Sequence, residues 1–306
     1  QSACLILEEI PMDAIRSFAD DFADLKTQQQ RLMDHLPELG RFNVTLLGEG
    51  IGPALVIETA NRTSSSSSSK AAAAATKEEV AVKGEFQSIA ALKVFAYRMF
   101  SLQHDDFSEK DGGISYRYSG SSDVCAVLAG FWNCVCELFS PAAQNQQGTF
   151  YSIPAVASHH DRFAAVSELL SRSLCLYRGN DVFELSHYHP SYDRDLIEPK
   201  DSPAFGHVPP KAWLPDMMQE TTTSSPTEAE IALSDYQRRS PHTAVLIQKH
   251  DASLFNKPGD AAVDLTLASG EVVKASGMES YSRILSKLME EGQETLQTAL
   301  EKEIAI

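Results

Sequence analysis

Positive charge is the scarcest feature of this sequence. Its 306 residues include 26 Lys and Arg against 42 Asp and Glu, which gives a formal net charge of −16 at pH 7. Binding to the phosphates of a nucleic acid requires clustered Lys and Arg, and the sequence has no such cluster. An anionic membrane surface repels an acidic chain for the same reason. We therefore predict neither a nucleic acid nor an anionic membrane surface as partner.

Long apolar runs and the motifs of common cofactor sites are missing as well. No run approaches the roughly 20 apolar residues that cross a bilayer, so no membrane span is predicted. The sequence contains no phosphate-binding loop, no glycine-rich dinucleotide fingerprint and no nucleophile elbow, so no cofactor is predicted. Apolar residues nevertheless make up 43% of the chain, enough to fill the cores of two domains or one large one.

Cysteine is sparse and odd in number. The five cysteines are Cys4, Cys125, Cys134, Cys136 and Cys175. Such a set favours reduced thiols in an intracellular compartment over a disulfide framework. Cys134 and Cys136 suggest metal or redox chemistry, but their apolar surroundings favour a helix in which cysteine packs as a small hydrophobe. The first residue is Gln1 rather than Met, which fits a processed organelle protein.

Two halves of the chain begin with the same pattern. Each starts with a short β-prone run that ends in Ile-Pro, at 10–11 and 153–154, and each continues with a helix and a second β-prone run. Both predicted helices carry an apolar stripe with the spacing of one helix face. The stripes consist of Ile15, Phe18, Phe22, Leu25, Leu32 and Leu36 in the first half, and of Phe163, Val166, Leu170, Leu174 and Tyr177 in the second.

The correspondence extends to the end of each half. A strand that begins after a proline is predicted at 52–61 and again at 240–251. A short β-prone run that leads into a helix follows at 79–100 and at 271–291. We interpret the chain as a tandem duplication with pseudo-two-fold symmetry. Each copy has the order β-α-β-β-α and folds as an α+β or α/β sandwich in which helices cover a sheet.

The duplication predicts the domain organisation. The first lobe spans 1–105 and contains a Ser/Ala-rich segment, 62–78, whose low complexity predicts a loop. The second lobe spans 113–291 and contains a Pro-rich insertion, 196–236. A charged helix at 292–306 forms the tail, and its thin apolar stripe either docks on a neighbouring surface or waits for another molecule.

Apolar residues on these appendages are candidates for assembly contacts. The Pro-rich segment predicts a rigid, extended excursion that ends in large apolar side chains. The tail helix places apolar residues four positions apart. The candidates are Trp213, Leu214, Met217, Met218, Leu296, Leu300 and Ile304.

One segment, FELSHYHPSYD at 183–193, concentrates side chains that can do chemistry. His187 and His189 are two residues apart on a predicted strand, so both face one side of a sheet while Tyr188 faces the other. Two imidazoles with a nearby carboxylate, Asp193 or Asp195, can bind a metal. No third His or Cys follows at a ligand spacing, so we favour a hydrogen-bonded pair at a strand end and predict no metal site.

Two arginines precede the last predicted strand of the second lobe. Arg238 and Arg239 could act as a fork that holds a carboxylate or phosphate beside Tyr192 and the histidines. In so acidic a chain they could equally pair with its own carboxylates. Both readings stay open at this point.

The second lobe, from about 150 to 290, resembles an uncharacterised bacterial family. Its members read approximately S-F-H-P-x-Y at one strand end and N-R-S-P-x-P-T before another. The matching positions here are Ser186, His189, Pro190, Tyr192, Arg239, Ser240, Pro241 and Thr243. Tyr188 stands where the family has Phe, and Arg238 where it has Asn. The resemblance implies a shared fold and brings no known activity.

The organisation of the whole chain is similar to that of the diatom pyrenoid shell proteins (PyShell). The shared features are two lobes, acidity, Ser/Ala-rich insertions and a terminal helix. The resemblance implies a structural protein that self-assembles into a lattice around the Rubisco condensate in the chloroplast. We predict this role, with no catalytic residues. The alternative is an enzyme or small-anion binder that uses His189 and Arg239, with His187 and Tyr192, in the second lobe.

Overall fold

Strands and helices alternate along most of the chain, as expected for a mixed α/β protein. The computed structural model describes residues 2–6, 42–47, 54–59, 71–103, 113–157, 159–197, 206–215, 227–250, 263–266, 270, 272–275 and 278–306. Nine strands and six α-helices lie within these ranges. Among these residues, no helix is long and apolar enough to cross a membrane.

A three-stranded sheet forms from the first half of the chain. Its strands are β1 (Ser2–Ile6), β2 (Phe42–Leu47) and β3 (Ala54–Thr59). The strand order is β1-β3-β2, and β3 runs antiparallel to both neighbours. All three strands are confirmed, whereas the helix predicted around Phe18 lies outside the described residues.

A four-stranded sheet forms from the second half. Its strands are β4 (Ile114–Tyr118), β5 (Gly148–Ser152), β6 (Phe183–Tyr188) and β7 (Ala244–Lys249), and their order is β4-β5-β7-β6. β4 pairs in parallel with β5, and β7 is antiparallel to β5 and β6. All five residues of β5 are buried, which requires cover on both faces of the sheet.

Two helices cover one face of the four-stranded sheet. Helix α2 (Val124–Phe139) begins at Asp123, whose carboxylate accepts a hydrogen bond from the Cys125 N–H. Helix α3 (His160–Leu176) connects β5 to β6. Both bury an apolar stripe against inward-facing strand residues such as Leu185. The buried stripe of α2 consists of Val124, Val127, Phe131, Cys134, Val135 and Leu138.

The other face is covered by helices that are distant in sequence. They are α1 (Ala71–Gln103), α5 (Met278–Glu291) and α6 (Gln293–Ile304). Phe95 of α1 contacts Tyr188 of β6 edge to face, with 5.3 Å between ring centroids. Helix α1, which the sequence assigned to the first lobe, therefore packs on the sheet of the second.

Two short elements complete the chain. Helix α4 (Glu228–Leu233) begins at Thr227, whose side chain forms a reciprocal capping box with Glu230. Strands β8 (Val263–Thr266) and β9 (Val272–Ala275) pair as an antiparallel hairpin before α5. The sequence predicted β9 and missed β8.

The Ser/Ala-rich segment differs from its prediction. Helix α1 begins at Ala71, so the alanines within 62–78 are helical, and so is the run at 79–83 that was expected to be a strand. The loop and strand predictions are therefore wrong for these residues. Alanine has the highest helix propensity, and Lys and Glu follow closely, so 71–79 favours a helix once one is nucleated. Residues 62–70 lie outside the described residues.

The Pro-rich insertion does not extend away from the protein. Trp213 and Leu214 are buried in the same core as α2 and α3. The expectation of an apolar end on an extended excursion is therefore wrong for these two residues. Large apolar side chains in a flexible polar segment gain more free energy by joining an existing core than by facing water. Met217 and Met218 lie outside the described residues.

The C-terminal helix docks on its own chain, which is the first of the two alternatives above. Leu296 and Leu300 of α6 are 0% and 3% exposed, whereas Ile304 is 53% exposed. Arg98 of α1 donates two hydrogen bonds to the carboxylate of Glu303, at 2.6 and 3.1 Å. Leu296 and Leu300 are thus core residues of the monomer, and Ile304 remains on the surface.

Replacing Leu296 by Ala should destabilise the fold because the substitution leaves a cavity under α6. We expect a loss of about 2–5 kcal/mol in the free energy of unfolding, measured by urea titration. The matched change Ile304→Ala, on the exposed side of the same helix, should cost less than about 0.5 kcal/mol. Equal effects of the two substitutions would show that α6 is not docked.

Candidate functional site

His187 and His189 lie on the α3 side of β6, as the strand alternation predicted. The Nε2 atom of His187 is 2.9 Å from Ser171 Oγ on α3. The ring of His189 stacks on Phe163 of the same helix, with 4.8 Å between centroids. Tyr188 points to the opposite face and contacts α1.

Hydrogen bonds within the turn after β6 hold His189 in place. Its Nδ1 atom accepts a hydrogen bond from the Ser191 N–H at 3.1 Å, and its backbone carbonyl accepts one from the Tyr192 N–H. Its backbone N–H donates to the carbonyl of Arg238, so the segment after β6 is joined to the segment before β7. The segments around His189 and Arg238 therefore meet at one end of the sheet and are joined by a backbone hydrogen bond.

Sequence reasoning missed His207, which lies between His187 and Tyr192. The rings of His187 and His207 stack with 4.9 Å between centroids. The residue before it, Gly206, has φ +84°, and a Cβ there would come within 2.6 Å of the His187 ring. Glycine is thus required for this close approach. A lone His in a Pro-rich insertion carries no periodicity that could have revealed its position.

A chain of hydrogen bonds runs through this cluster. The Tyr192 hydroxyl accepts from the Val208 N–H and lies 3.1 Å from Nδ1 of His207. Nε2 of His207 lies 3.0 Å from the Ser167 hydroxyl, which donates to the carbonyl of Ala164. Every group in this chain of hydrogen bonds has a partner if the Tyr192 hydroxyl donates to Nδ1 of His207 and His207 carries its proton on Nε2.

The two arginines do not form a fork. The guanidinium of Arg238 lies over the Tyr188 ring, 5.2 Å from its centroid. That of Arg239 lies 4.3 Å from the centroid of Tyr236, and its Nε donates to the carbonyl of Tyr192 at 3.2 Å. Each guanidinium thus has its own aromatic partner, and Arg239 serves to hold the turn after β6.

A buried ion pair anchors the insertion beneath the cluster. Nε of Arg194 lies 2.6 Å from the carboxylate of Asp235, and both side chains are buried. The guanidinium also donates to the carbonyl of Pro209 and to the hydroxyl of Ser234. Because every side of the guanidinium has an acceptor, the cost of removing these charges from water is offset.

The carboxylates that could have completed a metal site have another partner. Lys211 Nζ lies 2.8 Å from Asp195 and 3.4 Å from Asp193. Within the described ranges, no group of three or more His, Cys, Asp or Glu side chains is placed to hold a metal ion. Cys134 and Cys136 lie in α2, as predicted, and burial raises the pKa of the Cys134 thiol to about 12.

Burial keeps the imidazoles of the cluster neutral at pH 7. Loss of hydration lowers the pKa of His187 to about 3, with a further contribution from the positive charge of Arg238. Burial followed by the neighbouring His160 lowers the pKa of His189 to about 4. The pKa of His207 falls well below its usual value, chiefly through burial and then through His187. These imidazoles are therefore poor general bases near neutrality.

Taken together, the geometry describes a polar layer inside the protein rather than an open catalytic centre. The chain matches no protein-family model, no curated protein and no solved structure in the comparisons made. The cluster joins the end of β6, helix α3 and the insertion, and its hydrogen bonds are made largely within itself. What it does most clearly is join these three parts of the chain to one another.

Replacing His242 by Gln should weaken the pH dependence of stability. Burial lowers the pKa of His242 from 6.5 to about 4. Between these two pH values, His242 is protonated in the unfolded chain and neutral in the folded chain. The contribution of neutral His242 to the free energy of unfolding is therefore complete above pH 6.5 and is lost as the pH falls toward 4. The slope for one such group is about 1.4 kcal/mol per pH unit. Urea unfolding between pH 6.5 and 5 should show a slope smaller by about this amount in His242→Gln.

The control is His250→Gln, because His250 is exposed. It tests whether the change of slope belongs to the buried position rather than to the loss of any one histidine. Identical slopes for the wild type and His242→Gln would mean that His242 is not buried in its neutral form.

Proposed function

We propose that the chain is a structural subunit of two related lobes that self-assembles into a lattice or shell. The main observation behind this proposal is that the two sheets share one strand arrangement. In each, the third strand of the lobe lies between the first and the second and runs antiparallel to both. The two sheets share no residues and little sequence identity. Their common strand arrangement is therefore what supports a tandem duplication.

The pairing register of the two sheets supports the same proposal. The central strands β3 and β7 both have six residues and begin with alanine. That alanine pairs with the last residue of both neighbouring strands. The matching triplets are Ile6, Ala54 and Leu47 in the first sheet, and Ser152, Ala244 and Tyr188 in the second. The two sheets thus end in the same register, which supports a common origin.

The polar cluster favours a building block over an enzyme. Under the shared register, Leu46 holds the position of His187. The cluster is thus confined to one lobe, where its groups are engaged in internal hydrogen bonds. Two lobes with similar folds and different surfaces permit head-to-tail contacts that do not close, and such contacts propagate.

Surface composition adds support for association. Phe86 on α1 and Phe139 at the end of α2 are 77% and 71% exposed. Large aromatic side chains on a surface are typical of contacts with other proteins. The likeness in organisation to the pyrenoid shell proteins extends the proposal to a layer around the Rubisco condensate in the chloroplast.

The purified chain should form large species as its concentration rises. The net charge of −16 repels neighbouring copies, so added salt should promote assembly by screening that charge. Size-exclusion chromatography with light scattering, followed by negative-stain imaging, measures both effects. A strict monomer at every concentration and salt level would contradict the proposal.

A second candidate function, binding of a small anion, is favoured by one observation. Within the described part of the chain, the Nη1 atom of Arg238 and the hydroxyl of Ser152 are buried without hydrogen-bond partners. Ser152 lies in the same cross-strand row as Tyr188, over which Arg238 sits. Buried groups without partners carry a free-energy cost that an anion would relieve.

If this candidate is right, the wild type should bind inorganic phosphate and Arg238→Met should not. Isothermal titration calorimetry measures the binding directly. Arg239→Met is the matched control, because Arg239 is already bonded to the Tyr192 carbonyl, and it should retain binding. Binding that survives in Arg238→Met, or is absent from the wild type, would dismiss the anion site. Circular dichroism confirms that each variant is folded.

A further inference from the structure

In the second sheet, the strands that correspond to β1 and β2 each have a further partner in the same chain. The strand β5 pairs in parallel with β4, which becomes the outermost strand on that side. At the other edge, the backbone N–H of His187 in β6 donates to the carbonyl of Gly206 in the insertion. Edge strands left open invite pairing with another chain, and the β6 edge is engaged in this way.

The first sheet lacks both of these further partners within the described residues. There, β1 and β2 each pair with β3 and with no other described strand. The segment between β2 and β3 has only six residues, 48–53, whereas the corresponding segment between β6 and β7 spans 189–243 and contains the insertion. The two lobes therefore differ most at the edges of their sheets.

We propose that the first sheet is the assembly surface, and that β2 of one copy pairs in parallel with β1 of the next. The inference rests on the proposed self-assembly and specifies its contact. The occupant is a second copy of this chain, because β1 and β2 provide the two complementary edges that one continuous sheet needs.

The direction of the pairing follows from the second sheet. At the edge that corresponds to β1, the strand β5 accepts a parallel neighbour, β4. Since β1 and β2 are both antiparallel to β3, they run parallel to each other, and β2 of a second copy reaches β1 in that same orientation. The contact is head to tail. It leaves a free β1 edge on the added copy and a free β2 edge on the first, so it repeats without closing.

A native cysteine makes this contact testable. Cys4 in β1 and Thr45 in β2 both pair with Val56 of β3, so they hold equivalent positions on one face of the sheet. Within one chain they are two strand spacings apart, about 9.6 Å. A disulfide requires less than about 7 Å between Cα atoms, so a bond between positions 4 and 45 can form only between two copies.

The experiment is oxidative cross-linking of the full-length Thr45→Cys variant under assembling conditions. Asn43→Cys, two residues away on the same face of β2, tests the case in which β2 and the neighbouring β1 pair with a register shifted by two residues. Non-reducing electrophoresis should show a ladder of dimers, trimers and larger species, with loss of most of the monomer band. Cys4→Ser/Thr45→Cys is the matched control. It retains the other four cysteines and should give no ladder.

Each outcome decides a different point. A ladder that is equally extensive in Cys4→Ser/Thr45→Cys would come from thiols other than this pair, such as the exposed Cys136 and Cys175, and would overturn the head-to-tail pairing. The wild type could form large species in negative-stain images while neither Thr45→Cys nor Asn43→Cys cross-links. That result would overturn the edge contact and leave the proposal of self-assembly standing. A monomeric wild type would overturn both proposals. Unfolding midpoints equal to that of the wild type show that the variants are folded.

Discussion

Burial of the four-stranded sheet on both faces is the constraint on which the rest of the structure depends. One face needs α2 and α3, which are close in sequence, and the other needs α1, α5 and α6, which are not. Covering the second face therefore draws the end of the first lobe and the C-terminal tail onto the same sheet. The ion pair between Arg98 and Glu303 joins these two distant segments at that surface.

The same burial governs the polar residues at the end of β6. A histidine on a strand buried on both faces cannot remain charged or without a partner, so His187 meets Ser171 and stacks on His207. These interactions fix the insertion to the core. A cluster that resembles a catalytic centre in sequence thus joins β6, α3 and the insertion to one another.

Most of the strands and helices could be predicted, because alternation and helical periodicity are local properties. That His187 and His189 lie on the same side of the sheet could be predicted for the same reason. Two expectations failed where a local pattern met a nonlocal partner. The alanines from Ala71 extend a helix, and Trp213 is buried in a core. For the paired arginines the sequence left two readings open, and in the structure each lies over its own aromatic ring, Tyr188 or Tyr236.

The sequence by itself determined the order of most of the elements and the acidic composition, since these depend on residue type and spacing alone. Tertiary structure decided which distant segments meet. It placed His207 beside His187, α6 on α1, and β4 on the edge of β5. These contacts depend on the free energy of burying particular surfaces together, and no window of neighbouring residues contains that information.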